Sequence, residues 1–460
     1  MVKGRFMRYR EILLFAVVLT ALLGRAAAEA KDGQPEAVVF VVGDQHSAYE
    51  KTAQLVATID QIKSRYPTLP LAILIDGDTF EYGNIVARRS SGAVEFAMFA
   101  ALAKRGPTIL NLGNHEPEFY DLNETVRRIE ATGVKVISNI INHSTGRPFA
   151  PASEKITLGN AAVTIVGVTT DHLATYRVAV RPSLDLANPV IWAKQNFPAL
   201  FDVTSLPIVM SHAGLNADRE ILSFVPNGTL FAGAHDHLRF VHSLGRGVYF
   251  HSGAWNEYLS VAWLKRDRAG VPFWTVEQVQ IPGNGAFDAK LTDLIRATRG
   301  KYVTPEDTMT VGHAVAAKSP QDAARWVTEL LAASAQVDAA FVGNTTFGAG
   351  LPAGPIDRLQ LDACIRFDGT IFAAEIDGAR MQKLIAAANQ GVDVPFDQRQ
   401  GEFLVASAPA QIEPTKRYRV ATTDWGVRNS QNYFGLPAIE WHELPGAKFK
   451  ARVIGRLNEP

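Results

Sequence analysis

Leu112-Gly113-Asn114-His115-Glu116 follows a short apolar run, Pro107-Thr108-Ile109-Leu110, and precedes Pro117 and an acidic, helix-starting segment. The run reads as a strand, so a carboxamide and an imidazole stand side by side at its end. A carboxamide offers a neutral oxygen to a cation, and the adjacent imidazole can stay outside the ligand sphere and exchange a proton. The stretch gains its weight from partners at other strand ends.

Upstream, Ala37-Val38-Val39-Phe40-Val41-Val42 is a continuous apolar run, as expected of a strand covered on both faces, and Gly43-Asp44-Gln45-His46 follows it. Residues 51–65 carry Leu55, Val56, Ile59 and Ile62 at helical spacing. The next strand, Leu71 to Ile75, ends in Asp76-Gly77-Asp78, and a helix around Val94 to Ala103 leads into the opening stretch. Downstream, Val134 to Asn139 and Ala162 to Val168 continue the pattern. Leu206 to Met210 ends in Ser211-His212, and Thr229 to Ala232 ends in Gly233-Ala234-His235-Asp236-His237. Residues 247–263 and 271–281 read as closing strands before Ile281-Pro282-Gly283-Asn284-Gly285 breaks the unit. This alternation predicts a mainly parallel α/β layer with ligands gathered at the strands' C-terminal ends.

At 460 residues the chain exceeds one ordinary core, and two domains are expected. The first spans 36–285. A connecting helix follows in 286–302. The second unit, 303–457, has helices near 320–334 and 378–389 and strands near 338–342, 363–376 and 417–422. An apolar fraction of 47% and a charged fraction of 20% describe a globular protein. A formal net charge of zero argues against a nucleic-acid polymer as partner.

Residues 1–30 read as a secretory signal peptide: Lys3, Arg5, Arg8 and Arg10, then an apolar run from Ile12 to Leu23, then small residues around Ala26 to Ala30. The leader holds five basic and two acidic residues, so the remaining chain is near −3. A periplasmic or secreted protein is expected, with no membrane anchor after cleavage and with its oligomeric state open. Cys364, the single cysteine, reads as a buried, inert thiol.

Eight residues close the strands: Asp44, His46, Asp78, Asn114, His115, His212, His235 and His237. Seven are oxygen or nitrogen donors suited to divalent cations, and His115 is the candidate proton carrier. Asp78, with two carboxylate oxygens, can span two cations, as two-metal hydrolysis requires. Taken singly, each could be a helix cap or a solvated loop residue. Their joint placement at one sheet edge points to a dinuclear centre. Mn, Zn, Fe, Co and Mg are not distinguished by such a donor set.

The series Gly43-Asp44-Gln45-His46, Gly77-Asp78, Gly113-Asn114-His115-Glu116, Ser211-His212 and Gly233-Ala234-His235-Asp236-His237 resembles the calcineurin-like metallophosphoesterases. More narrowly, it is similar to the secreted 5′-nucleotidase family, which couples that domain to a C-terminal substrate-binding domain. The resemblance implies a four-layer α/β/β/α sandwich followed by an α+β domain. It implies Asp44, His46 and His237 on one cation, Asn114, His212 and His235 on the other, Asp78 bridging, and His115 meeting the leaving oxygen. Its activity would be cleavage of small-molecule phosphoric esters, nucleotides foremost, by a hydroxide bridging the metals.

In the second unit, Gln400-Gly401-Glu402-Phe403-Leu404 and Tyr418 to Trp425 are similar to the segments supplying two aromatic walls of a nucleobase clamp, here Phe403 and Trp425. Core packing is the alternative for both rings. Asn344 and Gln431 are the further candidate substrate contacts. The family's phosphate-gripping arginine is absent from Asn344 to Pro352, and Gln431 stands in Asn429-Ser430-Gln431-Asn432 where an acid is usual. Arg358, Arg366 or Arg428 could replace the missing cation. Open alternatives are a thiosulfohydrolase-like sulfur-oxidation enzyme, a broad phosphomonoesterase or cyclic phosphodiesterase, and a non-catalytic nucleotide receptor.

Overall fold

Two six-stranded sheets stack face to face in the computed structural model, which describes residues 33–435 and 437–458. The leader read in residues 1–30 lies outside the described residues. The first sheet runs, in spatial order, Pro272–Gln280, Tyr258–Arg266, Ala37–Gly43, Leu71–Asp76, Thr108–Asn111 and Lys135–Ile137. The second runs Arg239–Leu244, Gly247–Ser252, Leu230–Gly233, Leu206–His212, Ala161–Thr169 and Ser153–Leu158. In each sheet four adjacent strands are parallel; the first adds two antiparallel strands on one side, Tyr258–Arg266 and Pro272–Gln280, and the second adds one antiparallel strand at each edge.

The sequence explains the layering. Successive strand residues point to opposite faces. Val39 and Val41 therefore meet Ile165, Ile208 and Met210 of the facing sheet. Val38, Phe40 and Val42 turn outward, into a core with residues of the helices Tyr49–Arg65, Ala93–Ala103 and Leu122–Glu130. On the other side Val166, Val209 and Phe231 pack with Ala193, Phe197 and Leu215 from Pro189–Leu200 and Leu215–Ile221. Both faces of both sheets are covered, which is the expected α/β/β/α sandwich. Parallel strands place their C-terminal ends along one edge, and the site forms there.

The second domain is built on a five-stranded mixed sheet, ordered Leu404–Ser407, Ala339–Gly343, Arg417–Thr423, Ile371–Asp377 and His442–Glu443. The helix Pro320–Ala335 starts on Ser319, whose side chain accepts the Asp322 N–H, with Pro320 at the first helical position. That helix and Phe449–Leu457 cover one face, and Gly378–Ala387 helps cover the other.

Two expected strands are corrected. Residues 247–263 are two strands in different sheets, because Trp255 and Asn256 adopt left-handed φ values of 59° and 53° and turn the chain. Residues 363–376 begin as the end of a helix, Arg358–Cys364, capped reciprocally by Asp357 and Gln360, and extend only from Ile371. The connecting helix, Ala289–Tyr302, sets Leu291 and Ile295 into the outer core of the first sheet. Among the described residues no helix is long and apolar enough to cross a membrane.

Candidate metal centre

The strand ends Gly43, Asp76 and Asn111 lie in register, so the residues following them share one edge. Close backbone approach makes this possible. A Cβ on Gly77 would lie 2.5 Å from His212 Nδ1, and one on Gly113 would collide with Asp78 Oδ1. Asp44, His46, Asp78, His235 and His237 all adopt positive φ, between 46° and 81°. Non-glycine residues held there store strain, and strain of this kind concentrates at functional sites.

Three groups of donor atoms form, each within 4.8 Å: Asp44, His46 and His237; His46, Asp78 and His115; Asp78, His212 and His235. His46 Nε2 and His237 Nε2 face each other at 2.9 Å, and both lie about 4 Å from Asp44 Oδ1, at 4.0 and 3.9 Å. Asp78 divides its oxygens. Oδ2 lies 3.0 Å from His212 Nε2 and 3.9 Å from His46 Nε2, between the two clusters, while Oδ1 accepts the His115 backbone N–H at 2.8 Å.

Neighbouring groups fix the rings. His212 Nδ1 is 2.8 Å from the Asp76 carbonyl, which selects the Nδ1–H tautomer and leaves Nε2 as a lone-pair donor. Burial holds His46, His235 and His237 well below the ordinary imidazole pKa, so each is neutral at pH 7. Burial opposes the charge on Asp78, but the neighbouring His212 and His115 hold it well below its usual value. Burial also opposes charge on His115. The carboxylates of Asp78, Glu118 and Glu81 overcome it and push the imidazole to about 10.

The donor set fits a pair of divalent ions. Asn114 Oδ1 and His212 Nε2 are buried without a hydrogen-bond partner, and Asp44 and Asp78, each in a donor cluster that shares His46, are at most 2% exposed. Buried carboxylates gathered so closely call for cations.

Several residues here carried no signal in the sequence. Glu81, 1% exposed, lies 3.3 Å from His46 Nδ1 and 3.8 Å from His115 Nδ1. Glu118 Oε1 lies 2.8 Å from His115 Nδ1. Trp255 sits 4.5 Å from the His46 ring and 5.3 Å from that of His237, centroid to centroid, and its backbone N–H is donated to the Asp44 carbonyl. Glu81 lies outside every motif, Glu118 falls in the acidic segment after Pro117, and Trp255 falls within the run 247–263 read as a strand.

A cavity of about 500 Å3 opens onto His46, Asp78, Asn114, His115, His235 and His237. Its far wall comes from the second domain and includes Thr345, Glu402, Phe367 and Trp425. Trp425 faces His172 of the first domain, with centroids 5.8 Å apart and planes 33° apart. The two expected aromatic walls are not brought together. Phe403 turns away from this cavity, packs partly buried against the cores of both domains, and lines a different cavity. Asn344 is committed structurally: its Nδ2 donates to the Asp236 carbonyl and its Oδ1 accepts the Phe403 N–H, both at 2.9 Å. Gln431 is exposed on the short helix Ser430–Phe434 and lines neither cavity.

Of the three arginines weighed as replacement cations, Arg428 lines the metal cavity and pairs with Asp424 at 2.7 Å. Arg366 is buried with its guanidinium 4.4 Å from the Trp255 centroid, and Arg358 lines neither cavity. His251 is a buried support, its Nε2 2.8 Å from the Tyr249 hydroxyl. Cys364 is buried, and burial pushes its thiol up to about 12.

Residues 37–239 match the family model of the calcineurin-like phosphoesterases, whose members use two divalent metals. Comparison with curated proteins returns no match. Among solved structures, the chain is similar to a 5′-nucleotidase precursor from Thermus thermophilus, at 15% identity and TM-score 0.60, over 92% of this chain and 96% of that one. It is similar to the sulfate thiohydrolase SoxB of Thermus thermophilus in complex with glycerol, at 14% and 0.66, over 92% and 94%. It is also similar to the 5′-nucleotidase of Candida albicans, at 11% and 0.61, over 93% and 99%. These likenesses extend across both domains and establish the fold.

Proposed function

We propose, for a chain whose residues 37–239 form a calcineurin-like phosphoesterase domain, that it is an exported two-metal hydrolase of small phosphoric esters, with nucleotides as the first substrates to test. One observation carries the reading: Asp78 Oδ2 stands between His46 Nε2 and His212 Nε2, with Asp44 and the other histidines around it. Asp44, His46 and His237 would hold one cation, Asn114, His212 and His235 the other, and Asp78 both. When bound, such a cation pair lowers the pKa of water and offsets phosphoryl charge.

The chain's own groups do the rest. His115 is anchored twice, by its N–H on Asp78 and by Nδ1 beside Glu118, which leaves Nε2 as the nitrogen available to substrate. From there it donates a proton to the departing oxygen. The second-domain wall narrows the cavity, and lowering the local dielectric in this way strengthens the charge interactions inside it. Trp425 offers one flat face to a planar leaving group. A single face supports broader leaving-group tolerance than a two-sided clamp. Export is read from residues 1–30.

The test is a metal-reconstituted panel of nucleoside mono-, di- and triphosphates, 2′,3′-cyclic nucleotides, UDP-sugars and p-nitrophenyl phosphate, with a thiosulfonate donor in parallel. Phosphate release supports the reading. Sulfate release without phosphate release would move the protein to thiosulfonate chemistry, and hydrolysis of neither would overturn the enzyme assignment.

A further inference from the structure

Arg366 belongs to the second domain, between the helix Arg358–Cys364 and the strand Ile371–Asp377, yet its guanidinium carbon lies 4.4 Å from the ring centroid of Trp255 in the first. The residue is 4% exposed, and its buried Nε and Nη2 have no hydrogen-bond partner. Its own domain holds it in place. The Arg366 N–H is donated to the Thr346 carbonyl at 2.9 Å, and a Cβ on Gly348 would lie 2.6 Å from Nε. A guanidinium over an indole face is attracted by the ring quadrupole, the more so away from water.

Two groups of the first domain receive it. Trp255 is one, and its ring packs on those of His46 and His237, the two histidines assigned to the same cation. Glu81 is the other: it lines a cavity with Arg366 and lies 3.3 Å from His46 Nδ1. Backbone fit joins the two segments, since a Cβ on Gly83 would lie 2.7 Å from the Arg366 carbonyl oxygen and 3.0 Å from Glu81 Oε1. Burial raises the Glu81 pKa, and His115, the Gly83 N–H and Arg366 act against that rise. A carboxylate behind a ligating imidazole fixes the tautomer and the angle of the ring. His46 is thus wedged between an indole and a carboxylate, with one cation of the other domain behind both. His212 and His235, assigned to the second cation, pack on each other instead, with centroids 5.3 Å apart.

We propose that Arg366 is a positioning residue: from the second domain, through Trp255 and Glu81, it holds the His46 ring for the cation shared with Asp44 and His237. This role presupposes the two-cation centre. It makes one cation site depend on contact between the domains and leaves the other independent of it.

The test is Mn²⁺ titration of chelator-stripped protein, read as the dissociation constant of each of two equivalents. Arg366→Met, which keeps an unbranched stem and removes the charge, is expected to weaken one equivalent about 10–100-fold and leave the other at its wild-type value. Arg366→Lys, which restores the charge without the planar fork, should weaken the same equivalent less. His237→Ala leaves the other cation site, and adding Arg366→Met to it should change nothing further. Equal weakening of both equivalents would overturn the proposal, as would an added loss in the His237→Ala background. So would wild-type constants in Arg366→Met, or in Arg366→Lys where the Met variant does not fold. Fewer than two equivalents in the wild type would instead overturn the two-cation centre itself.

Discussion

Glu116 Oε2 accepts the backbone N–H of Asp78 at 3.0 Å, clipping the loop that carries the shared carboxylate to the residue after His115. The same carboxylate takes the Gly113 N–H at 2.7 Å and the Thr79 N–H at 2.9 Å. One buried side chain thus sets the spacing of the Asp78 and Asn114 loops. An amide in its place has a single oxygen, and its NH2 would confront an N–H donor. Glu116→Gln is expected to lower stability by about 2–4 kcal/mol and metal affinity or activity by about 10–100-fold. Thermal melts with metal titration check both, and a variant equal to wild type in each would refute the clip.

His115 is a candidate catalytic group rather than a ligand. His115→Ala should lower kcat about 10²–10⁴-fold while leaving bound metal near the wild-type level. The measurement is turnover beside elemental analysis of the same preparation. Loss of metal together with activity would reassign the residue to coordination.

The two candidate aromatic walls should separate in experiment as they do in space. Trp425→Ala is expected to raise KM for nucleotides, equivalent to about 1–3 kcal/mol of stacking, and to spare p-nitrophenyl phosphate relative to them. Phe403→Ala should instead lower the melting temperature, because the ring fills the core between the domains. Equal effects of Trp425→Ala on both substrates would remove the stacking role.

Acid should weaken the join between the first domain and the segment after the connecting helix. Asp307 is partly opposed by burial, but the Arg89 guanidinium at 2.5 Å and the Thr304 N–H at 2.8 Å bring its pKa to about 2. A lowered carboxyl pKa contributes stability that is fully present above the unfolded value, about 3.9, and is lost as pH falls through the folded one. Arg89→Ala is therefore expected to cost about 1–2 kcal/mol at pH 6, with the gap from wild type closing between pH 4 and pH 2. Denaturant unfolding at several pH values reads it. A gap independent of pH would leave the pair without a share in acid stability.

The metal donors were legible in the sequence because each follows an apolar run at a strand end, where a parallel sheet gathers its ligands. The layered fold was legible for the same reason, since Val38 to Val42 are apolar on both faces. What stayed hidden depends on contacts between distant segments. Glu81 matters through its nearness to His46 and His115, and no local pattern marks that. Trp255 lies in a turn enforced by left-handed backbone at Trp255 and Asn256, within a run apolar enough to read as one strand. Phe403 sits in a segment similar to a clamp wall, yet its ring packs against the apolar cores of both domains. Periodicity reports which face of an element is buried and says nothing about which domain buries it.

The central claim is that Asp44, His46, Asp78, Asn114, His212, His235 and His237 together hold two divalent cations. Chelator-stripped protein titrated with Mn²⁺, with bound metal counted per chain, tests it directly. Two equivalents in the wild type and at most one in Asp78→Asn are predicted; one or none in the wild type, or two retained in Asp78→Asn, would contradict it.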